Sequence, residues 1–194
     1  RILNEQCGLS KKSKILVGIS GGIDSVALID ILVRLGYPVT MAHYNHHLRL
    51  ESDADADFVE SMAQTLKVPY IGGEGDVGAL AQQKGWSLEM AARQARYHFL
   101  FSSAEQVKAS AVLVGHNADD QVETILMHLL RGSGLSGLKG MEQHQEKNEW
   151  SGSLPLVRPL LRFSRKEILE YCRERELIPV IDKSNEDSTY YRNR

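Results

Sequence analysis

The segment ISGGIDSVAL (residues 19–28) combines two adjacent glycines with a carboxylate and two hydroxyls. Because glycine has no side chain, Gly21 and Gly22 let another group come close to the backbone. The segment lies between a predicted strand and a predicted helix, whose first N–H groups and dipole favour an anion. Asp24 would repel phosphate unless Mg²⁺ lay between them, and a simple helix-capping turn is the alternative interpretation. The predicted donors to the anion are Ser20, Gly21, Gly22 and Ser25.

A second segment, rich in carboxylates, begins at the end of another predicted strand. Its sequence is GHNADDQVETILMHLLRGSGLSGL (residues 115–138). On the helix that follows, Asp119 and Glu123 are four residues apart and share one face, with Asp120 beside them. Three carboxylates so close together favour a bound metal ion or an ammonium group. A solvated first turn, stabilised by the helix dipole, is the alternative. Arg131, at the end of this helix, is predicted to reach phosphate or a nucleotide.

Two more segments carry polar side chains that suit a binding site. In AHYNHHLR (residues 42–49), three histidines fall within five residues. No cysteine or carboxylate is adjacent, so polar groups that line a site are favoured over a metal cluster. In SLEMAARQARYHFL (residues 87–100), Glu89, Arg93 and Arg96 lie on one stripe of a helix. The stripe is either a surface ion pair or an arginine clamp on phosphate or carboxylate.

These segments are positioned by alternating apolar runs and helical patterns. Strands are predicted at 14–19, 39–44, 68–73 and 111–116, with a short fifth within 154–161, and helices at 25–36, 51–67, 87–107, 118–132 and 164–176. Such alternation predicts an α/β fold, a doubly wound parallel sheet of about five strands with helices on both faces. Ser87 and Ser164 are predicted to cap their helices, and residues 142–153 to form a mobile loop. Ligands of such sheets bind at the carboxyl ends of the strands.

The composition narrows the class of protein. The 194 residues, 42% hydrophobic and 25% charged, fit one globular domain with a sizeable core. The net charge of −2 excludes a global basic field for nucleic acid but leaves a local patch open. Two distant cysteines without zinc spacing favour a reduced, cytoplasmic setting, and no signal peptide or apolar run of about 18 residues predicts a membrane protein. The start at Arg1 and the ending YYRNR are interpreted as those of a fragment.

The motifs resemble those of known nucleotide-dependent enzymes. SGGIDS resembles the PP-loop, SGGxDS, of the ATP pyrophosphatase family, which cleaves ATP between its α- and β-phosphates. AHYNHHLR, SLEMAARQARYHFL, GHNADDQVETILMHLLRGSG, RPLL and DKSNEDSTYYRNR are similar, in order, to motifs of tRNA(Ile)-lysidine synthetases. His47 stands where a small residue is usual and receives no role. The resemblance implies an adenine nucleotide alpha hydrolase-like PP-loop domain at 1–181 and the start of a linker at 182–194.

The resemblance also implies a reaction. The C2 oxygen of the wobble cytidine, in isoleucine tRNA with the anticodon CAU, attacks the α-phosphate of ATP and pyrophosphate leaves. The ε-amine of free L-lysine then displaces AMP. ATP and Mg²⁺ are the implied cofactors, tRNA and lysine the implied partners, and a homodimer is left open. A tRNA thiolation enzyme of the same fold, which predicts cysteines near the site, and a non-catalytic ATP-binding module are the alternatives.

Residue roles follow from the resemblance together with charge. The implied ATP-binding residues are Ser20, Gly21, Gly22, Asp24, Ser25, Ala42, His43, Gly115 and Arg131. The implied lysine- or tRNA-binding residues are Arg93, Arg96, Asn45, His46 and Arg49. The catalytic candidates are Asp24, which also takes the metal, Asp119, Asp120 and Glu123, with no single general base assigned. A basic surface for the rest of the tRNA, or else a solvated helix face, is predicted from Arg158, Arg162, Arg165, Lys166, Arg192 and Arg194.

Overall fold

The computed structural model describes residues 2–48, 51–134 and 138–180, and the predicted linker at 182–194 lies outside them. These residues form a six-stranded sheet in the order β3-β2-β1-β4-β6-β5. The strands are β1 Ile15–Gly18, β2 Val39–Asn45, β3 Tyr70–Glu74, β4 Ala111–Val114, β5 His144–Gln145 and β6 Leu156–Val157. All neighbouring pairs are parallel except β5 with β6. The predicted doubly wound sheet is confirmed, with one more strand than expected.

The described ranges also contain six α-helices. They are α1 Ile23–Arg34, α2 Ser52–Leu66, α3 Val77–Lys84, α4 Leu88–Gln106, α5 Ala118–Leu130 and α6 Arg165–Glu174, and a short π-helical turn, Ile2–Gln6, precedes β1. Helix α3 was not predicted, because an internal glycine and polar residues blur the helical pattern of VGALAQQK. Its ends are nevertheless marked by the Asp76 cap and by Gly85 in the left-handed conformation. No described helix has the length and apolar character needed to span a membrane.

The core consists of one apolar layer on each face of the sheet. Ile15 and Val17 of β1 pack with α1, α2 and α6 on one face. Leu16, which points the other way, packs with Tyr97 and Leu100 of α4. This alternation is the period-two pattern of a strand buried on both sides. Helices on both faces therefore fix the carboxyl ends of β1 and β4, which are neighbours in the sheet.

The polar segment 142–153 differs from the predicted loop. Residues 144–145 form β5, which pairs antiparallel with β6. The ring of Trp150 stacks on Tyr97, with 4.0 Å between ring centroids, and its Nε1 donates a hydrogen bond of 3.1 Å to Gln94. The one large apolar side chain in the segment thus anchors it to α4.

Candidate active site

The glycine loop, residues 19–22, connects the end of β1 to the start of α1. Gly21 has a φ of +84°, which L side chains rarely adopt, and a Cβ there would lie 3.2 Å from Val180. Gly22 is the N-cap of α1 and provides no side-chain hydrogen bond to the helix. The first backbone N–H groups of α1 therefore lack a side-chain cap, as an anion site at a helix N-terminus requires.

Two serines shape this loop from within. Ser25 is buried, its hydroxyl donates to the carbonyl of Gly22 at 2.8 Å, and it accepts from the backbone N–H of Ser20 at 3.3 Å. The Ser20 hydroxyl accepts from the N–H of Gly22 at 3.3 Å and remains on the exposed side of the loop. Ser25 thus holds the loop closed on itself, whereas Ser20 faces the solvent where a ligand would enter.

Gly115, directly after β4, touches the first turn of α1. A Cβ at this position would lie 3.1 Å from the backbone carbonyl carbon and oxygen of Asp24 and from the backbone nitrogen of Ser25. These contacts are with backbone, which cannot rotate away as a side chain can. Glycine at this position lets the end of β4, and the helix that follows it, approach the glycine loop.

The acidic turn, residues 117–120, is joined by Asn117 to Asp24, in the first turn of α1 after the glycine loop. This side chain is buried, and its Nδ2 donates a hydrogen bond of 3.1 Å to Oδ1 of Asp24. Its Oδ1 accepts from the N–H of Asp120 at 3.0 Å, and the carboxylate of Asp120 accepts from the N–H of Asn117 at 2.9 Å. Asn117 is therefore both the cap of α5 and the partner of Asp24. Sequence reasoning missed it, although an Asn three residues before an Asp at a helix start signals a cap.

Arg165, the first residue of α6, contacts both Asp24 of α1 and Asp119 of the acidic turn. Its Nη1 donates to Oδ2 of Asp24 at 3.1 Å, and its backbone N–H donates to Oδ2 of Asp119 at 2.7 Å. The sequence assigned Arg165 to a basic surface, but the structure places it between these two carboxylates. Asp24 and Arg165 are 141 positions apart in the sequence, so no local sequence pattern could predict this ion pair.

The pKa of the Asp24 carboxyl group is raised by burial. The hydrogen bond from Asn117 and the charge of Arg165 lower that pKa, while the charge of Asp120 raises it. The side chain remains 21% exposed at the mouth of the loop. The described residues contain no group of three ligands able to hold a metal ion alone. A single accessible carboxylate nevertheless suits Mg²⁺ that arrives with phosphates, because Mg²⁺ commonly binds through one or two carboxylates plus phosphate oxygens.

The remaining candidate residues on α5, Glu123 and Arg131, lie at different distances from Asp119. Glu123 is one turn beyond Asp119 on the same helix. Arg131 is the C-cap of α5, twelve residues after Asp119, which corresponds to about 18 Å along the helix axis. The structure thus links Asp119 and Asp120 to Asp24, through Arg165 and by charge, whereas Glu123 lies one turn farther along α5 and Arg131 at the far end of the helix.

The end of β2 forms a polar wall beside the glycine loop. Ala42 is fully buried, and Nδ1 of His43 lies 2.8 Å from the carbonyl oxygen of Ile19. Asn45 donates to Asp53 at 2.7 Å, and with His43 it lines an open cleft of about 410 Å³ between β2, β3 and α2. His43 thus connects this cleft to Ile19, the first residue of the glycine loop.

The third histidine of the segment, His47, does not form a metal cluster with its neighbours. Its ring lies 3.3 Å from a carboxylate oxygen of Asp53 and 3.0 Å from one of Glu74. Its backbone N–H donates to Oδ1 of Asn45 at 2.9 Å. His47 therefore ties the end of β2 to α2 and β3.

His46 and the two arginines of α4 form a group on the other face of the sheet. The guanidinium of Arg93 lies 4.9 Å from the ring centroid of Tyr97 and 5.4 Å from that of Trp150, and that of Arg96 lies 5.1 Å from Tyr97. Burial, followed by the charges of Arg96 and His43, lowers the pKa of His46 to about 4. His46 is therefore neutral at neutral pH. Arg49 lies outside the described residues.

The predicted basic surface is wrong at Arg158. This residue follows β6 and is only 3% exposed. Its Nη1 donates to the backbone carbonyl of Glu142 at 2.8 Å, so the guanidinium holds the segment that leads into β5. Arg192 and Arg194 lie outside the described residues, while Arg162 and Lys166 are exposed.

The sequence of this chain is similar to a family model and to several curated proteins. A family model described as the PP-loop domain matches residues 1–194. The chain is 41% identical over 186 residues to tRNA(Ile)-lysidine synthase from Parabacteroides distasonis and 42% identical over 199 residues to the protein of that name from Geobacter sulfurreducens. The alignments cover 95% and 100% of this chain but 41% of each relative. The chain thus spans about two fifths of the length of these relatives.

Solved structures show the same fold at low sequence identity. The U34-tRNA thiolase NcsA from Methanococcus maripaludis, solved with its [4Fe-4S] cluster, is similar with a TM-score of 0.73 at 16% identity, over 89% of this chain and 60% of that one. NH3-dependent NAD synthetase from Campylobacter jejuni gives a TM-score of 0.60 at 19% identity, over 91% and 69% of the two chains. Sequence motifs, sheet order and the match along the whole chain agree: the chain belongs to the PP-loop domain family.

Proposed function

We propose that this chain is the domain of a tRNA(Ile)-lysidine synthase that binds ATP and joins free lysine to C2 of the wobble cytidine in isoleucine tRNA with the anticodon CAU. The observation that carries the proposal is the contact between the glycine loop and the acidic turn through Asn117 and Asp24. A phosphate site and a carboxylate cluster in direct contact suit a reaction that brings a nucleotide and an amine together. The names of the curated relatives support the same activity.

In this proposal the glycine loop receives the phosphates of ATP. The uncapped N–H groups at the start of α1 and the exposed hydroxyl of Ser20 donate hydrogen bonds to them. Mg²⁺, when bound through Asp24, would neutralise charge on the phosphates and on pyrophosphate as it leaves. His43, near the end of β2, borders the space for the rest of the nucleotide. Ala42, in the middle of β2, is fully buried, so its side chain does not line that space.

The carboxylates of the acidic turn and of Glu123 then attract the ammonium group of lysine. Asp119 and Asp120 each accept one backbone hydrogen bond, which leaves further lone pairs on each carboxylate. One of the three takes the proton whose loss makes the ε-amine a nucleophile. The amine attacks C2, the bond between C2 and the adenylated oxygen breaks, and AMP leaves with the bonding electrons.

The tRNA side of the site is proposed to include Asn45, His46, Arg49, Arg93 and Arg96. The two α4 arginines are cations with bidentate geometry for phosphate. Neutral His46 serves as a hydrogen-bonding group rather than as a charge. A tRNA substrate and ATP together point to the cytoplasm as the place of action.

A thiolation enzyme with an iron–sulfur cluster is disfavoured by the residues present, since such clusters are held by cysteine thiolates. The chain has two cysteines, Cys7 and Cys172, and both are buried and free. Cys172 packs against the start of α1, where its Sγ lies 3.9 Å from the carbonyl oxygen of Ile23. Burial raises the pKa of this thiol, which suits a core residue better than a nucleophile.

The test is transfer of labelled lysine by the intact protein in the presence of ATP and Mg²⁺. We expect label on isoleucine tRNA with the anticodon CAU and none on initiator methionine tRNA. Asp24→Ala should abolish transfer, because it removes the carboxylate beside the phosphate site. Absence of label from both tRNAs with the unaltered protein would contradict the proposal.

A further inference from the structure

Arg165 is held firmly at the edge of the glycine loop. Ser164 and Glu167 form a capping box around the first turn of α6, which fixes the backbone of Arg165. Farther along α6, the hydroxyl of Tyr171 donates to Asp30 of α1 at 2.5 Å. The side chain of Arg165 therefore extends from an anchored helix rather than from a loose segment.

The guanidinium of Arg165 has more N–H donors than its hydrogen bond to Asp24 uses. Among the described residues, Nη1 is the one side-chain nitrogen of Arg165 with a hydrogen bond, and its partner is Asp24. A guanidinium carries five N–H donors in a planar fork that matches phosphate oxygens. The side chain is 46% exposed, so these other donors face the solvent beside the loop.

The glycine loop itself lacks a positive charge. Residues 15–30, which cover β1, the loop and the first two turns of α1, contain no lysine or arginine and carry two aspartates. A triphosphate is strongly anionic, and a single Mg²⁺ neutralises only two of its charges. Another cation is needed close to the loop, and Arg165 already contacts Asp24, in the first turn of α1.

We propose that Arg165 exchanges its ion pair with Asp24 for the terminal phosphates of ATP and holds the pyrophosphate that leaves. The inference rests on the proposed function for its nucleotide, and it assigns Arg165 a role that the sequence did not suggest. Mg²⁺ bound with the nucleotide would compete with the guanidinium for Asp24, so arrival of the ligand itself frees the arginine. In the ligand-free protein the same ion pair stabilises the acidic cluster.

The test compares binding of Mg²⁺–ATP, inorganic pyrophosphate and adenosine to the intact protein by titration calorimetry. We expect Arg165→Met to weaken binding of ATP and of pyrophosphate about tenfold or more, as loss of a charge-assisted contact does. Adenosine has no phosphate, so its binding should change less than about twofold. Arg173→Met removes an exposed cation near the end of α6 and is the matched control, with all three affinities unchanged.

A second variant protects the test against a folding defect. Arg165→Lys keeps the positive charge but lacks the planar fork of N–H donors, so it should weaken pyrophosphate binding selectively and by less than Arg165→Met does. If Arg165→Met does not melt cooperatively, the affinities of Arg165→Lys test the inference instead. Unchanged pyrophosphate binding in the variants, or equal losses for pyrophosphate and adenosine, would overturn the inference. A protein that binds pyrophosphate through Arg165 but transfers no lysine to tRNA would refute the proposed function alone.

Discussion

At the scale of single residues, Asn117 connects the two halves of the candidate site. It is 1% exposed and bonds at once to Asp24 and to the backbone of Asp120. We expect Asn117→Ala to lower the free energy of unfolding by about 1 to 3 kcal/mol, because it removes a helix cap and leaves buried polar groups without a partner. Denaturation with urea measures this loss.

Asn117→Ser separates the two roles of the residue. Serine also caps helices, so most of the stability should return, but its shorter side chain cannot be expected to reach Asp24. Loss of that hydrogen bond raises the pKa of Asp24 further, since the bond lowers it in the native protein. The acidic limb of the pH–rate profile should therefore move to higher pH in Asn117→Ser. An unshifted limb would show that Asn117 does not act through Asp24.

His46 gives a prediction about pH and stability. The folded protein lowers its pKa to about 4, whereas the unfolded chain protonates it near the usual value of about 6.5. Between these values the unfolded state binds more protons, so the free energy of unfolding falls as the pH drops from about 6.5 towards 4. Allowing for partial exposure, we expect a loss of roughly 1 to 2 kcal/mol from this residue.

The measurement is urea denaturation at pH 7.5, 6 and 5. His46→Asn should flatten the pH dependence, while His98→Asn, which changes an exposed histidine of α4, should leave it as in the native protein. Equal slopes for the native protein and His46→Asn would contradict the assignment.

The residues that sequence reasoning identified are those marked by short motifs, such as Asp24 between glycines and serine. The contacts it missed join partners that are 93 positions apart for Asn117 and 141 for Arg165. Such pairs depend on which strands and helices become neighbours. Spacing within one segment carries no information about them.

At the scale of elements, local signals predicted the helix caps correctly. Ser87 accepts a hydrogen bond from the N–H of Met90 at 3.2 Å, and Ser164 forms a capping box with Glu167. The two-residue strand β5 was missed because so short a strand has no period of its own and depends on pairing with β6.

Segment 142–153 offers a test of how an element is anchored. Trp150 stacks on Tyr97 and lies 6.0 Å from the ring of Phe101, so Trp150→Leu should destabilise the protein by about 2 to 4 kcal/mol. The segment should also become sensitive to limited proteolysis. Trp86→Leu is the comparison, because Trp86 is 37% exposed and should lower the free energy of unfolding by about 1 kcal/mol or less. Similar effects of the two substitutions would refute the anchoring role.

At the scale of the whole molecule, the sheet order explains why distant segments meet. Strands β1 and β4 are parallel neighbours, so the segments that follow them emerge side by side at one edge. Alternation of strands and helices predicts a parallel sheet but not the order of its strands. Gly115 shows how closely the two segments approach each other, since a Cβ at this position would lie 3.1 Å from the backbone of Asp24.

The central claim is that ATP phosphates bind the glycine loop beside the acidic turn and that a tRNA base attacks them. Exchange of labelled pyrophosphate into ATP, with and without isoleucine tRNA of the anticodon CAU, tests this most directly. We predict exchange that requires the tRNA, falls about 100-fold or more in Asp24→Asn and persists in Glu105→Gln, a change at an exposed carboxylate of α4. No exchange in the native protein with tRNA, or equal exchange in Asp24→Asn, would contradict the account.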